Sequence, residues 1–220
     1  LFQLILGNNS IIDINSSGFF TIVLILVLGL VICTGAMNVF NFMDGINGIT
    51  GGYSLIVLSA ILFILDKETL LGQSSEVETI VSLLKIVLSA ALVFCFFNFR
   101  SRAKCFAGDV GSVSIAFIIL FTLGFIVINT GDLSWLSFLV VYGVDGCLTI
   151  LHRIMLHENI SQPHRKHLFQ IMANELKIPH VIVSLVYMSV QLLCCIWYII
   201  YPGYLTLLFQ IIILSIIYIL

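Results

Sequence analysis

Long apolar runs alternate with short polar stretches along the whole chain. A helix that crosses a bilayer needs about 20 mostly apolar residues, and several runs reach or approach that length. They lie at 19–38, 47–65, 77–97, 112–129, 133–151, 180–200 and 204–220. Because backbone polar groups in lipid must be satisfied within the segment itself, we predict an all-α bundle of about seven membrane helices.

Composition agrees with a lipid environment. Hydrophobic residues make up 60% of the chain and charged residues 9%, whereas a soluble domain carries about 25% charged residues. These values exclude a soluble globular enzyme, and we expect no nucleic-acid partner. No repeat or linker divides the sequence, so residues 1–220 are predicted to form one membrane domain. The chain opens at Leu1 on an apolar run and not on Met, from which we expect an N-terminally truncated sequence.

The basic residues indicate which loops share a side of the membrane. Alternating helices place three loops on one face, at 38–47, 98–111 and 152–179. The loops of the other face lie at 66–76, 129–133 and 201–203. Lys67 is in a loop of the second face and Lys85 is inside a helix, while the other Lys and Arg residues belong to the first face. They are Arg100, Arg102, Lys104, Arg153, Arg165, Lys166 and Lys177. The positive-inside rule makes the first face cytoplasmic, which predicts a multi-pass membrane protein with these three loops in the cytoplasm.

One helical stretch is too polar to span the bilayer. Pro163 suits the first turn of a helix and Pro179 ends it. Apolar residues recur at helical spacing, at Leu168, Ile171, Met172 and Leu176. Polar residues fall on another side, at Lys166, His167, Gln170 and Asn174. We predict a short amphipathic helix at the membrane surface.

The first polar loop combines amide side chains, a carboxylate and glycines. It contains Asn38, Asn41, Asp44 and Asn47, with Gly45, Gly48, Gly51 and Gly52. A carboxylate at the membrane boundary is costly and usually functional, and glycines let the backbone approach a ligand closely. The alternative is a Gly-rich helix break in which the Asn side chains cap the helix ends.

The second polar loop, Phe106-Ala-Gly-Asp109-Val-Gly-Ser112, precedes a membrane helix. Free N–H groups at a helix start attract anions, and Asp109 suits Mg²⁺, which prefers carboxylate and phosphate oxygens. Basic residues that suit a diphosphate lie just upstream, at Arg100, Arg102 and Lys104. In the alternative interpretation Asp109 or Ser112 only caps the helix, and the basic residues only follow the positive-inside rule.

The third polar loop carries His164, Arg165, Lys166 and His167 in succession. They predict a cationic patch that binds either a substrate or lipid headgroups, and zinc is disfavoured because a third soft ligand is missing nearby. Asp145 lies inside an apolar run, so it should face the bundle interior, in a site or in a structural pair.

Together the three loops suit metal-assisted attack on a diphosphate. Each loop alone has a structural alternative, but all three fall on one predicted face. A transporter or a non-catalytic scaffold would explain the helices equally well. It would not explain why Asp44 and Asp109 share a face with the histidine loop.

The motifs resemble those of a known family. The pattern Asn38-x-x-Asn41-x-x-Asp44-Gly45-x-Asn47-Gly48, then Phe106-x-Gly108-Asp109-x-Gly111-Ser112, then a late His loop, is similar to the polyprenyl-phosphate N-acetylhexosamine-1-phosphate transferases of glycosyltransferase family 4. The resemblance covers almost the whole chain. It implies transfer of a sugar-1-phosphate from a UDP-sugar to undecaprenyl phosphate, with release of UMP. It also implies Mg²⁺, with Mn²⁺ as an alternative, and membrane lipids as neighbours. The location it implies is the bacterial cytoplasmic (inner) membrane, with the active site facing the cytoplasm, and a homodimer is a further expectation.

The resemblance assigns roles to individual residues. Asp109 would be the metal ligand, and Asp44, Asp109 and His167 the catalytic groups. Phe106 matches an aromatic residue that stacks on uracil. The other residues expected to bind substrate are Asn38, Asn41, Asn47, Asn98, Lys104, His164, Arg165 and Lys166.

Two departures from the family pattern limit what the resemblance implies. The family carries an Asp-Asp pair on an earlier loop and more membrane helices, and these 220 residues contain no adjacent acidic pair. The late loop is histidine-dense in MraY- and WecA-like members, whereas here only His167 keeps a motif histidine. The late loop is more similar to the branch of the family that initiates O-antigen or capsule glycans. The resemblance does not identify the sugar that is transferred. Because the acidic pair is missing, an inactive pseudoenzyme is an alternative.

Overall fold

A computed structural model describes residues 19–66, 71, 74–159, 162 and 165–219. Every regular element in these ranges is helical, which confirms the all-α prediction. The helices are α1 (Phe19–Met43), α2 (Ile49–Leu65), α3 (Ser75–Asn98), α4 (Gly108–Thr130), a 3₁₀ helix (Leu133–Leu139) that continues as α5 (Val140–Met155), the single turn α6 (Leu168–Gln170) that continues as a π turn (Ile171–Glu175), α7 (His180–Ile200) and α8 (Tyr204–Ile219).

Five of the described helical stretches are long and apolar enough to cross a membrane. They are Leu26–Met43 within α1, α3, α4, the joined stretch Leu133–Met155, and α7. The helices α2 and α8 are equally apolar but have only 17 and 16 residues, which is about 25 Å at 1.5 Å per residue. All seven predicted helices are therefore present, and five of them reach spanning length. The protein is an integral membrane protein.

The end of α1 differs from the prediction. The helix continues to Met43, so Asn38 and Asn41 lie in its last turns and not in a loop. Asn is a weak helix former, but Phe40 and Met43 are only 2% and 0% exposed. Their burial outweighs the local preference and keeps the backbone helical up to the residue before Asp44.

The short helix α2 lies at the centre of the bundle, against α3 and α7. Ten of its 17 residues are buried. Its contact with α7 is so close that a Cβ on Gly52 would lie 2.3 Å from the Met188 sulfur. The Tyr53 ring stacks on Tyr142 of α5 with 3.6 Å between centroids. The close packing fixes α2, and with it the polar loop that precedes it.

The predicted amphipathic surface helix is only partly correct. The described helical stretch is shorter, from Leu168 to Glu175, and Pro163 lies outside the described residues. Its buried side chains are Phe169 and Ala173, whereas Leu176, expected on the apolar face, is 65% exposed. The reason is tertiary, because the Phe169 ring occupies a gap in the bundle beside Gly45 and Tyr187.

Candidate functional site

The three polar loops meet at one end of the bundle. The Asn47 side chain donates to the carbonyl oxygen of Arg100 at 2.9 Å, which joins the first loop to the second. The Phe169 ring of the third segment lies so near Gly45 that a Cβ there would be 3.0 Å from its Cε2 atom. We call this end, formed by residues 44–48, 99–107, 156–159, 162 and 165–167, the motif face.

Asn98 holds the first two loops together. Its side-chain oxygen accepts the N–H of Gly48 at 2.7 Å, and its Nδ2 donates to the Cys105 carbonyl at 2.7 Å. The side chain is only 4% exposed. Asn47 is similarly buried and hydrogen-bonded to backbone. Both amides thus organise the loops in this structure, and their role in substrate binding stays a prediction.

Replacing Asn98 by Leu should destabilise the protein strongly. The change leaves the Gly48 N–H and the Cys105 carbonyl buried without their partner, at about 1–3 kcal/mol each. We expect a loss of about 2–5 kcal/mol in the free energy of unfolding, measured by thermal denaturation in detergent. The matched control is Asn129→Leu, because Asn129 is exposed and bonds only locally to Phe125. Equal losses of stability in both variants would contradict the role of Asn98 in holding the two loops together.

A second hydrogen bond joins the two sequence motifs directly. The buried hydroxyl of Ser112 donates to the side-chain oxygen of Asn41 at 2.7 Å, so the end of α1 is fixed to the first turn of α4. The N-cap of α4 is Ala107, without a side-chain cap bond. The interpretation of Asp109 or Ser112 as a cap is therefore wrong.

This connection brings two carboxylates into electrostatic contact. Burial raises the pKa of the Asp44 carboxyl above its usual value, and the nearby Asp109 raises it further. The Thr50 side chain and the Gly108 backbone partly lower that pKa. Asp109 itself is exposed in the first turn of α4. Two neighbouring carboxylates, one of them partly desolvated, make a place that favours a cation.

The two carboxylates fit a magnesium site that is completed by the substrate. Within the described ranges, no three His, Cys, Asp or Glu side chains gather into a metal cluster. Mg²⁺, however, is usually bound through one or two carboxylates together with substrate phosphates and water. Asp109 and Asp44 offer those two hard oxygen ligands, so the residues present fit such a shared site.

The aromatic and basic side chains of the second polar loop differ in their exposure. Phe106 is 66% exposed, and Lys104 is exposed too. Arg100 instead turns back onto the end of α3, where its Nε donates to the Phe96 carbonyl at 2.6 Å. Its guanidinium lies 4.5 Å from the centroid of the Phe96 ring. Of these residues, Phe106 and Lys104 are the more accessible to a ligand, as is Asn38 on α1.

The third loop is not the surface patch that the sequence suggested. His167 is the N-cap of α6 and is only 2% exposed. Its Nδ1 lies 3.0 Å from the Oδ1 atom of Asp145, which faces the interior as predicted. Arg165 is exposed, Lys166 pairs with Glu158, and His164 lies outside the described residues. Burial of His167 follows from its contact with a carboxylate far away in sequence.

Sequence reasoning missed the residues that support this loop. The buried Arg153 donates to the carbonyl oxygens of Asn159 and Gln162, at 2.5 and 3.1 Å. The hydrogen bond from Lys166 is the main cause that lowers the pKa of the Glu158 carboxyl. Arg153 counted only as one more basic residue, because no local pattern distinguishes a buried arginine at a helix end from an exposed one.

An apolar groove runs between α1 and α5. It has a volume of about 310 Å³ and is lined by side chains that include Gly35, Ala36 and Val39 of α1 and Tyr142, Gly143 and Cys147 of α5. The last residue of α1 that lines the groove is Phe40, about one helical turn before Asp44. An apolar chain could therefore lie in the membrane part of the protein with its end at the motif face.

Comparison with known proteins agrees with the motifs. The model of the family described as Glycosyl transferase family 4 matches residues 2–131, which contain Asp44 and Asp109 but not Asp145 or His167. One relative from Bacillus subtilis (strain 168), named "Probable undecaprenyl-phosphate N-acetylglucosaminyl 1-phosphate transferase", is 30% identical over 138 residues. The match covers 61% of this chain and 36% of the relative, so the chain spans about a third of that protein. Because the family model matches more than half of the sequence, the chain belongs to glycosyl transferase family 4.

Proposed function

We propose that this protein contributes the carboxylate and histidine loops of an enzyme that transfers a sugar-1-phosphate to undecaprenyl phosphate. The donor would be a UDP-sugar of the N-acetylhexosamine type, and UMP would be released. The reaction would start a lipid-linked glycan of the cell envelope, at the cytoplasmic face of the inner membrane. Family membership and the name of the B. subtilis relative support this reaction class.

The observation that carries the proposal is the meeting of Asp44 with Asp109. The two residues belong to separate motifs, yet the Ser112–Asn41 hydrogen bond places them at one end of the bundle. Two nearby carboxylates, one of them partly buried, favour a bound cation, because like charges repel. A membrane scaffold has no need for it.

The chemistry follows from the two substrates. A phosphate oxygen of the lipid attacks the sugar-linked phosphorus of the UDP-sugar, and the bond from that phosphorus to the UMP oxygen breaks. Asp109 and Asp44 would hold Mg²⁺, which supplies charge neutralisation for the diphosphate when bound. Lys104 is exposed beside them and can bind a phosphate oxygen. Phe106 offers an exposed ring on which a uracil base can stack.

The groove between α1 and α5 suits the lipid substrate. It is apolar, it lies between two helices of the membrane part of the bundle, and its lining on α1 reaches Phe40, about one helical turn before Asp44. An isoprenoid chain in this groove would bring its phosphate to the motif face without leaving the hydrocarbon region. The lipid phosphate and the nucleotide diphosphate then meet where bilayer and water meet.

The test is UMP release by the full-length gene product in membranes. UDP-N-acetylglucosamine and related UDP-sugars are supplied with undecaprenyl phosphate, and the matched control is the same reaction with the lipid alcohol, which lacks the phosphate. We expect UMP release that needs both the lipid phosphate and Mg²⁺. A membrane preparation that binds UDP-sugars without releasing UMP would indicate a pseudoenzyme and contradict the proposal.

A further inference from the structure

A carboxylate outside the family-model match lies deep in the bundle. Asp145 of α5 is 3% exposed, and its oxygens have partners on several elements. Oδ2 accepts the hydroxyl of Tyr187 of α7 at 2.5 Å, and Oδ1 accepts the hydroxyl of Thr149 at 3.2 Å. A buried charge is expensive unless it is fully hydrogen-bonded. The side chains of Tyr187 and Thr149 supply such donors, and they fix the position of the Asp145 carboxylate.

The same Asp145 oxygen holds the histidine loop at two points. Oδ1 lies 3.0 Å from the His167 Nδ1 atom, and it accepts the backbone N–H of Leu168 at 3.3 Å. One contact fixes the imidazole ring and the other fixes the backbone that carries it. A residue that only stabilised the start of α6 would need the backbone contact alone.

The contact also favours one tautomer of the ring. A carboxylate oxygen accepts hydrogen bonds, so Asp145 favours an N–H on the facing Nδ1 atom of His167. Nε2 then lies on the ring edge away from Asp145. The Phe42 ring, two residues before Asp44 in the chain, is 6.4 Å from the imidazole between centroids. The ring is therefore held beside the first polar loop.

We propose that Asp145 is a positioning residue for the sugar-phosphate transfer, acting through His167. It holds the imidazole with the proton on Nδ1 and Nε2 directed away from the carboxylate, and Tyr187 fixes Asp145 in turn. This inference rests on the proposed function. It adds α5 and α7, which lie outside the matched residues 2–131, to the machinery of the site.

A double-mutant cycle with Asp145→Asn and His167→Gln tests the inference in the full-length protein. Removing the carboxylate partner of a functional histidine commonly lowers activity about 10-fold to 100-fold. We expect a fall of about that size in kcat for Asp145→Asn, with KM for the UDP-sugar nearly unchanged. In the His167→Gln background the same change should have almost no further effect, because residues that act as a unit are non-additive. If Asp145→Asn lowered kcat by the same factor in the wild-type and in the His167→Gln protein, the proposal would be overturned.

A second variant covers the case in which Asp145→Asn does not fold. Tyr187→Phe removes one hydroxyl and keeps the ring, and we expect it to lower kcat by a smaller factor, again only when His167 is present. A loss confined to thermal stability, with kcat intact, would show a structural role and overturn the inference. If the wild-type protein releases no UMP, the proposed function fails, and this inference fails with it. An active wild-type protein with additive losses rejects the positioning role alone.

Discussion

Asp109→Asn should abolish UMP release while the protein keeps its fold. Asp109 is exposed at the start of α4, so an isosteric amide leaves the packed bundle intact. The amide lacks the charge that holds a hard divalent cation. Losing a metal contact to the reacting phosphate removes several kcal/mol of transition-state stabilisation. At about 1.4 kcal/mol per factor of ten, we expect turnover to fall roughly 10³-fold, measured as the rate of UMP release.

The matched control for this variant lies at the other end of the bundle. Asp132 caps the 3₁₀ helix, and its Oδ1 accepts the N–H of Ser134 at 2.8 Å. Asn is also a good cap, so Asp132→Asn should leave both turnover and thermal stability close to wild type. Full magnesium-dependent turnover by Asp109→Asn would refute the assignment of Asp109 as the metal ligand.

Gly48→Ala should destabilise the protein strongly, because two effects add. Gly48 has φ +88°, a left-handed conformation, and a Cβ there would lie 2.2 Å from Cδ2 of the Phe99 ring. The left-handed conformation costs a non-glycine residue about 1–2 kcal/mol, and overpacking a filled interior costs about 1–3 kcal/mol. We expect a loss of about 2–5 kcal/mol in the free energy of unfolding, seen as a lower thermal midpoint in detergent.

Two further variants separate those effects. Gly124 lies inside α4, and a Cβ there would meet nothing within 4 Å, so Gly124→Ala should be neutral or stabilising because Ala favours helix. The double variant Gly48→Ala with Phe99→Ala removes the clash but keeps the strained backbone. In the Phe99→Ala background, Gly48→Ala should lower the free energy of unfolding by less than it does in the wild-type background. No difference between the backgrounds would argue against the clash with Phe99.

Properties that depend on neighbouring residues were predictable from the sequence. The positions of the membrane helices follow from apolar length, because lipid imposes the same requirement on every segment. The helix from 180 to 200 was predicted with the boundaries that the structure shows. The motifs around Asp44 and Asp109 were recognisable because their residues are close in sequence and belong to the family that the comparison confirmed.

Properties that depend on residues far apart in the sequence were not predictable from it. The sequence placed Asn38 and Asn41 in a loop, whereas burial of Phe40 and Met43 extends α1 past both. It left Asp145 between a structural and a functional role, and it treated His167 as part of a surface patch. Only the packing of α6 against α5 brings these two side chains together.

For this protein, then, the sequence by itself determined residence in the membrane, the helical class, the family and the residue types available for chemistry. The tertiary structure alone decided which of those residues meet. Asn98 and Asn47 hold loops, Asp44 lies near Asp109, and Asp145 contacts the ring of His167. The physical reason is the sequence separation of the residues that determine each property. A membrane helix is specified by one continuous segment of about 20 residues, whereas the buried Asp145 carboxylate has partners that are 22 and 42 residues away in the sequence.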